Sequence, residues 1–150
     1  YNPYVGETFA DVLADEINKR CPFIDVYSRM DIKYYLLSKR EILKRHFPEL
    51  KEAELTKTIN ELDPVDIGRE LGVDKVISGV IYDCHTSHHR TFHWWSSVVE
   101  AEVKLIDVDS GKVEWQNRMR LRKKFLSWLG TAEVLASKMV KAMEKELFYR

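Results

Sequence analysis

Hydrophobic and polar residues alternate most regularly in the second half of the chain. From Val99 to Leu105 the odd positions are Val, Ala, Val and Leu, and the even ones are Glu, Glu and Lys. Further on, positions 113, 115, 119 and 121 are Val, Trp, Met and Leu, while 114, 116, 118, 120 and 122 are polar. A period of two sends successive side chains to opposite faces, so both stretches predict strands with one buried face. Asp109-Ser110-Gly111 between them predicts a hairpin turn, with Gly111 free to take a positive φ. With those three residues as the loop, Glu102 faces Arg118 and Glu100 faces Arg120, two cross-strand pairs of opposite charge.

Elsewhere the period is mostly helical. Glu7–Lys19 carries Phe9, Val12, Leu13 and Ile17 at helical spacing, and Cys21-Pro22 ends that helix. Phe23–Tyr27 (FIDVY) predicts a short strand. Ser28 to Asp31 has the form of a capping box, with Asp in place of the usual Glu. The helix it opens has Ile32, Tyr35, Leu36, Ile42 and Leu43 on one face and fades before Pro48. Pro48–Leu62 is charged and moderately helical. Asp63 as N-cap, Pro64 at the first helical position and Gly72 at the exit punctuate the next helix. The almost unbroken apolar run Val76–Tyr82 predicts a strand covered on both faces. A last helix, Thr131–Leu147, places Leu135, Met139, Met143 and Leu147 on one stripe. The order predicts a single α/β domain over residues 1–150: a mixed sheet with flanking helices, a C-terminal β-meander and a final helix.

Composition narrows the function. A chain of 150 residues with 45% hydrophobic and 11% aromatic residues is that of one folded domain. Lys+Arg and Asp+Glu stand at 24 each, a balance that opposes a dedicated nucleic-acid binder. Two cysteines without a CxxC form neither a disulfide framework nor a thiolate zinc site. No apolar run approaches the roughly 20 residues of a membrane-spanning helix.

The stretch His85–Trp95 (HTSHHRTFHWW) concentrates the candidate chemistry. It holds four of the five histidines and two of the four tryptophans. On a straight strand His85, His89 and His93 share a side but lie about 13 Å apart. A turn centred near His89 brings His85 opposite His93, giving two ligands for Zn²⁺ or Cu²⁺. Histidine also suits a pH-responsive contact. Exposed tryptophan is typical of partner hot spots and of membrane interfaces, and His88, His89, Phe92, Trp94 and Trp95 are the candidate partner-binding residues. The ordinary alternatives are a His-rich exposed loop and tryptophans packed on their own sheet. The basic run Arg118–Lys124 (RMRLRKK) reads as a solvated face neutralised by Glu100 and Glu102. Beyond that paired region, Arg122, Lys123 and Lys124 suit phosphate or anionic head groups. Asp107 to Gly111 has the wrong spacing for a calcium loop, and Arg118 stands where its bidentate Glu belongs. Gly-rich nucleotide loops and nucleophile elbows are missing, and no acid–base pair stands out. The expectation is a protein that is not an enzyme and holds no cofactor.

Four blocks in this order resemble the curli assembly/transport lipoprotein family. They are FADVLADEINKRCPFIDVYSRMDIKYYLLSKREIL with Arg29, GRELGVDKVISGVIYD with Leu71, Gly72, Asp74 and Gly79, VEAEVKLIDVDSGKVEW with Asp107, Gly111 and Val113, and TAEVLASKMVKAMEKEL. The amino-terminal domain of the TolB translocation protein is similar in layout, and related layouts bind tRNA anticodons. The resemblance implies a bacterial cell-envelope (lipo)protein module acting in assembly or transport by protein–protein binding. Its place would be the periplasm, with attachment to the outer membrane made through a lipid anchor lying outside this chain. Its partners would be an envelope protein or further copies of itself, not nucleic acid. Family members begin with a core strand that this chain does not show before its first helix. Their two long membrane hairpins correspond here to the short stretches 84–97 and 123–130. The same fold would set Cys21 and Cys84 far apart as free thiols. HTSHHRTFHWW would then be a recognition loop between the central strand and the hairpin.

Overall fold

A computed structural model describes residues 4–60, 63–89 and 94–148. Its elements are α1 (Val5–Arg20), α2 (Arg29–His46), α3 (Glu52–Asn60), α4 (Pro64–Leu71), β1 (Lys75–His89), β2 (Trp94–Asp107), β3 (Val113–Lys124) and α5 (Trp128–Leu147). The strands form an antiparallel sheet in the order β1-β2-β3. The register pairs Glu102 with Arg118 and Glu100 with Arg120, as the alternation predicts. The turn is built by Asp107, whose carboxylate accepts from the Ser110 amide and hydroxyl, and Gly111 takes φ 71°.

One face of the sheet is the core. Val99, Ala101, Val103 and Leu105 of β2 are buried with Trp115 of β3. Over them lie Phe9, Leu13 and Ile17 of α1, and Ala132, Leu135, Ala136, Met139, Val140 and Met143 of α5. The two helices also pack on each other. The predicted stripe of α5 is thus the buried one, although the helix begins at Trp128 rather than Thr131. Ser127 is the cause, because its hydroxyl accepts the Gly130 amide and caps the added turn. The other predicted caps form as well. Ser28 and Asp31 make a reciprocal box, and Asp63 caps α4, which Gly72 ends at φ 70°. Gly68 brings α4 close against the sheet, where a Cβ would lie 2.7 Å from Val76 and 2.8 Å from Val108.

Three expectations change. Phe23–Tyr27 joins no ladder, so the sheet is antiparallel rather than mixed among the described residues. Its alternation instead tucks Ile24 and Val26 against the core and leaves Phe23 outside, edge-on to Phe148 at 5.3 Å. Among the described residues the apolar run Val76–Tyr82 lies in an edge strand that pairs only with β2, and is not doubly covered: Val80 is 52% and Tyr82 48% exposed. A bulge between Ile81 and Asp83 displaces Tyr82 from the register. The helix at Ser28 forms, yet none of its residues is buried. Polar contacts tie α2 instead: Arg29 to Asp11 and Glu7, Tyr35 Oη donating to Glu70 at 2.7 Å, and Arg40 to Glu52. Cys21 and Cys84 are free thiols, the first buried.

Two measurements test this layering. Leu135→Ala is expected to cost about 2–5 kcal/mol in urea unfolding, and Leu37→Ala on exposed α2 less than about 0.5 kcal/mol. Equal losses would contradict the division between α5 and α2. The second concerns acid. Lys75, and then Ser110, hold the Asp107 carboxyl at about 2, below the ordinary 3.8. A lowered folded value means that the charged form favours the fold. That contribution is present above about pH 4 and is lost as pH falls towards 2. Asp107→Asn should therefore lower the melting temperature at neutral pH and flatten its decline across that acid window. An unchanged slope would remove Asp107 from the acid response.

Candidate functional site

The candidate site is the end of the sheet where β1 finishes, β2 starts, β3 finishes and α5 starts. Antiparallel pairing brings these together: His88 lies opposite Trp95, and Ser96 opposite Lys124. His85, His88 and the backbone of His89 therefore belong to a strand, not to a loop, because β1 continues to His89. His85 pairs across the sheet with Val98, so a turn centred on His89 with His85 opposite His93 does not form. Phe92 and His93 lie outside the described residues, as does the side chain of His89. One nitrogen of His85, Nδ1, lies 2.7 Å from Asp83 Oδ1. Among the described residues no group of three or more His, Cys, Asp or Glu side chains could hold a metal.

The two tryptophans separate as neighbours on a strand must. Trp94 is half-buried, with the Lys124 ammonium 4.9 Å from its ring centroid. Trp95 is 38% exposed and meets Phe125 edge to face at 5.2 Å. The candidate set read from the sequence is thus divided: His88, Trp94 and Trp95 converge at the tip. Phe125, Leu126, Trp128 and Leu129 complete it, and the sequence reading did not single them out. Their signal was present in FLSWL, an apolar run inside a connection too short for a hairpin.

The connection from β3 to α5 is fixed by backbone and hydroxyls. Phe125 has φ 62°, an uncommon conformation for an aromatic residue, and its amide donates to the Trp95 carbonyl at 2.9 Å. Ser97, fully buried, donates to the Leu126 carbonyl at 2.7 Å and shares a 2.5 Å hydrogen bond with Thr131. Bound this way, the chain leaves Phe125 56%, Leu129 40% and Leu126 36% exposed. The tip therefore carries exposed apolar side chains on a connection held by hydrogen bonds.

Charge divides the sheet's outer face. Towards its middle, Arg120 bridges Asp83 and Glu100 at 2.9 Å each. Arg118 reaches Glu100 at 2.7 Å while its guanidinium lies 3.8 Å over the Tyr82 ring. Glu102, opposite Arg118 in register, receives Gln116 instead. His85 first, and then Arg120, hold the Asp83 carboxyl below the usual range, and Arg118 with Arg120 does the same to Glu100. Arg118 and Arg120 are thus neutralised. Towards the tip that supply of acid ends, since neither 84–99 nor 115–132 contains a carboxylate. Arg122 donates to Ser96 at 3.1 Å, and Lys123 and Lys124 follow it on β3, which stays paired to Lys124. What the arrangement offers chemically is contact: rings and leucines beside cations.

Searches of protein-family models and of curated proteins give no match to the chain. In structure it is similar to the lipoprotein GNA1162 from Neisseria meningitidis. That crystal structure has a TM-score of 0.51 and 20% sequence identity, over 95% of this chain and 90% of that one. At that identity the likeness is one of fold, and it bears out a single α/β domain with helices flanking an antiparallel sheet.

Proposed function

We propose that this chain is a non-enzymatic module of the bacterial cell envelope that works by binding another envelope component through the tip. The observation that carries the proposal is the exposed cluster of Trp95, Phe125, Leu126 and Leu129 beside Arg122, Lys123 and Lys124. A solvated sheet end gains nothing from such a cluster, because exposed rings and leucines improve solubility no more than polar residues would. A contact surface gains both affinity and orientation from it. Likeness in fold to a solved lipoprotein supports the envelope setting. The curli-type motifs support a role in assembly or transport, carried by contact rather than chemistry. The His85–Asp83 pair and the Arg118–Arg120 network brace the sheet behind the tip.

The test is retention of the full chain on a bacterial envelope fraction, compared with Trp95→Ala and Phe125→Ala. Each variant is expected to bind at least about tenfold more weakly, the scale of a hot-spot truncation, with an unchanged cooperative melting transition. Retention equal to that of the parent chain would rule out the tip as the contact.

A further inference from the structure

We infer that two copies of this chain pair through α2, antiparallel across a two-fold axis, in a contact that makes no use of the tip. A helix on a domain surface usually has one apolar face, and α2 has two. Ile32, Tyr35, Leu36 and Leu43 are half-buried on the side turned to the domain, where Lys39 also reaches Glu70 at 3.2 Å. On the opposite side Met30, Tyr34 and Leu37, spaced i, i+4 and i+7, are 40%, 64% and 45% exposed. Tyr27, just before the Ser28 cap, is 52% exposed and extends that stripe. Among the described residues no hydrogen bond, ion pair or ring contact engages these four side chains. Tyrosine and methionine are enriched where protein chains meet.

Charge selects the occupant. The stripe begins beside Asp25 and Asp31, which line an open recess with Ile24, Val26 and Tyr27. It ends at Lys44, Arg45 and His46, in the last turn of α2. Lys44 and Arg45 are exposed and have no ion-pair partner among the described residues. Such a bipolar stripe is complementary to a second copy of itself only when reversed, and antiparallel helix dipoles favour the same alignment. Setting Tyr34 of each copy against Leu37 of the other fixes the remaining pairs. Tyr27 meets the Lys44 ammonium, Met30 meets the stem of Glu41, and Arg45 comes level with Asp25. Glu41 then lies next to Lys33 of the other helix. An anionic bilayer would instead meet Asp25, Asp31 and Glu41 along the same line, and they repel it. One 18-residue helix from each copy makes a contact at the small end of the stable range, so the pairing is reversible. Two-fold symmetry also closes it at two copies.

The experiment is sedimentation velocity of the full chain at concentrations from about 5 to about 300 μM, in low and in high salt. The mass is expected to rise with concentration from one copy to two and no further, and to rise less readily in high salt. Leu37→Glu, at an exposed position, should weaken pairing at least about tenfold while dilute samples melt as the parent chain does. Arg45→Glu should weaken it too, and adding Asp25→Arg to that variant should restore it. A monomer at every concentration would overturn the inference, as would a dimer indifferent to Leu37→Glu. Growth beyond two copies would overturn the closed pairing. Weakening by Arg45→Glu that Asp25→Arg does not restore would overturn the antiparallel register. A dimer lost with Trp95→Ala but kept with Leu37→Glu would move self-association to the tip and equally overturn the α2 contact.

Discussion

Hydrogen bonding on both edges of β2 makes that strand the axis on which the molecule is sorted. Because it is paired with β1 on one side and β3 on the other, its side-chain alternation cannot slip without turning every residue to the wrong face. Val99, Ala101, Val103 and Leu105 point to α1 and α5, and Glu100, Glu102 and Lys104 point away. The same alternation, continued past Val99, sets Ser97 under the start of α5 and Trp95 beside Phe125. Core, charged face and tip thus follow from one register.

The two ends of the outer face differ because of where the acids stop. Ion pairs on an exposed sheet contribute little stability each, but they decide which cations are occupied. Arg118 and Arg120 are occupied by Glu100 and Asp83. Arg122 finds a neutral hydroxyl, and the two lysines after it extend beyond the last carboxylate of β2. A strand that would otherwise be uniformly basic becomes neutral in its middle and positive at one end.

The hairpin, its register and the caps at Ser28, Asp63 and Gly72 were legible because each rests on local chemistry a few residues long. Burial was less legible, since it depends on what lies alongside. The Val76–Tyr82 run looks doubly covered, and only the strand order reveals it as an edge. The stripe on α2 looks like a core stripe, yet none of its residues is buried. The tip was half legible. Tryptophans next to histidines announced it, but its other half comes from the connection after Lys124, some thirty positions later in the chain. Pairing of Ser96 with Lys124 is what unites them. No spacing rule within either segment encodes that meeting.

The seam between α1 and α5 has a consequence for how the fold is acquired. These are the first and last elements described, and they lie side by side on one face of the sheet. The β2–β3 hairpin can form from neighbours in sequence, whereas this seam joins elements far apart in sequence and carries the entropy of closing that long loop. During synthesis, β2 therefore presents Val99 to Leu105 to its surroundings until α5 has emerged. The core is complete only once α5 has joined α1 on the sheet, and the most vulnerable state is the waiting one.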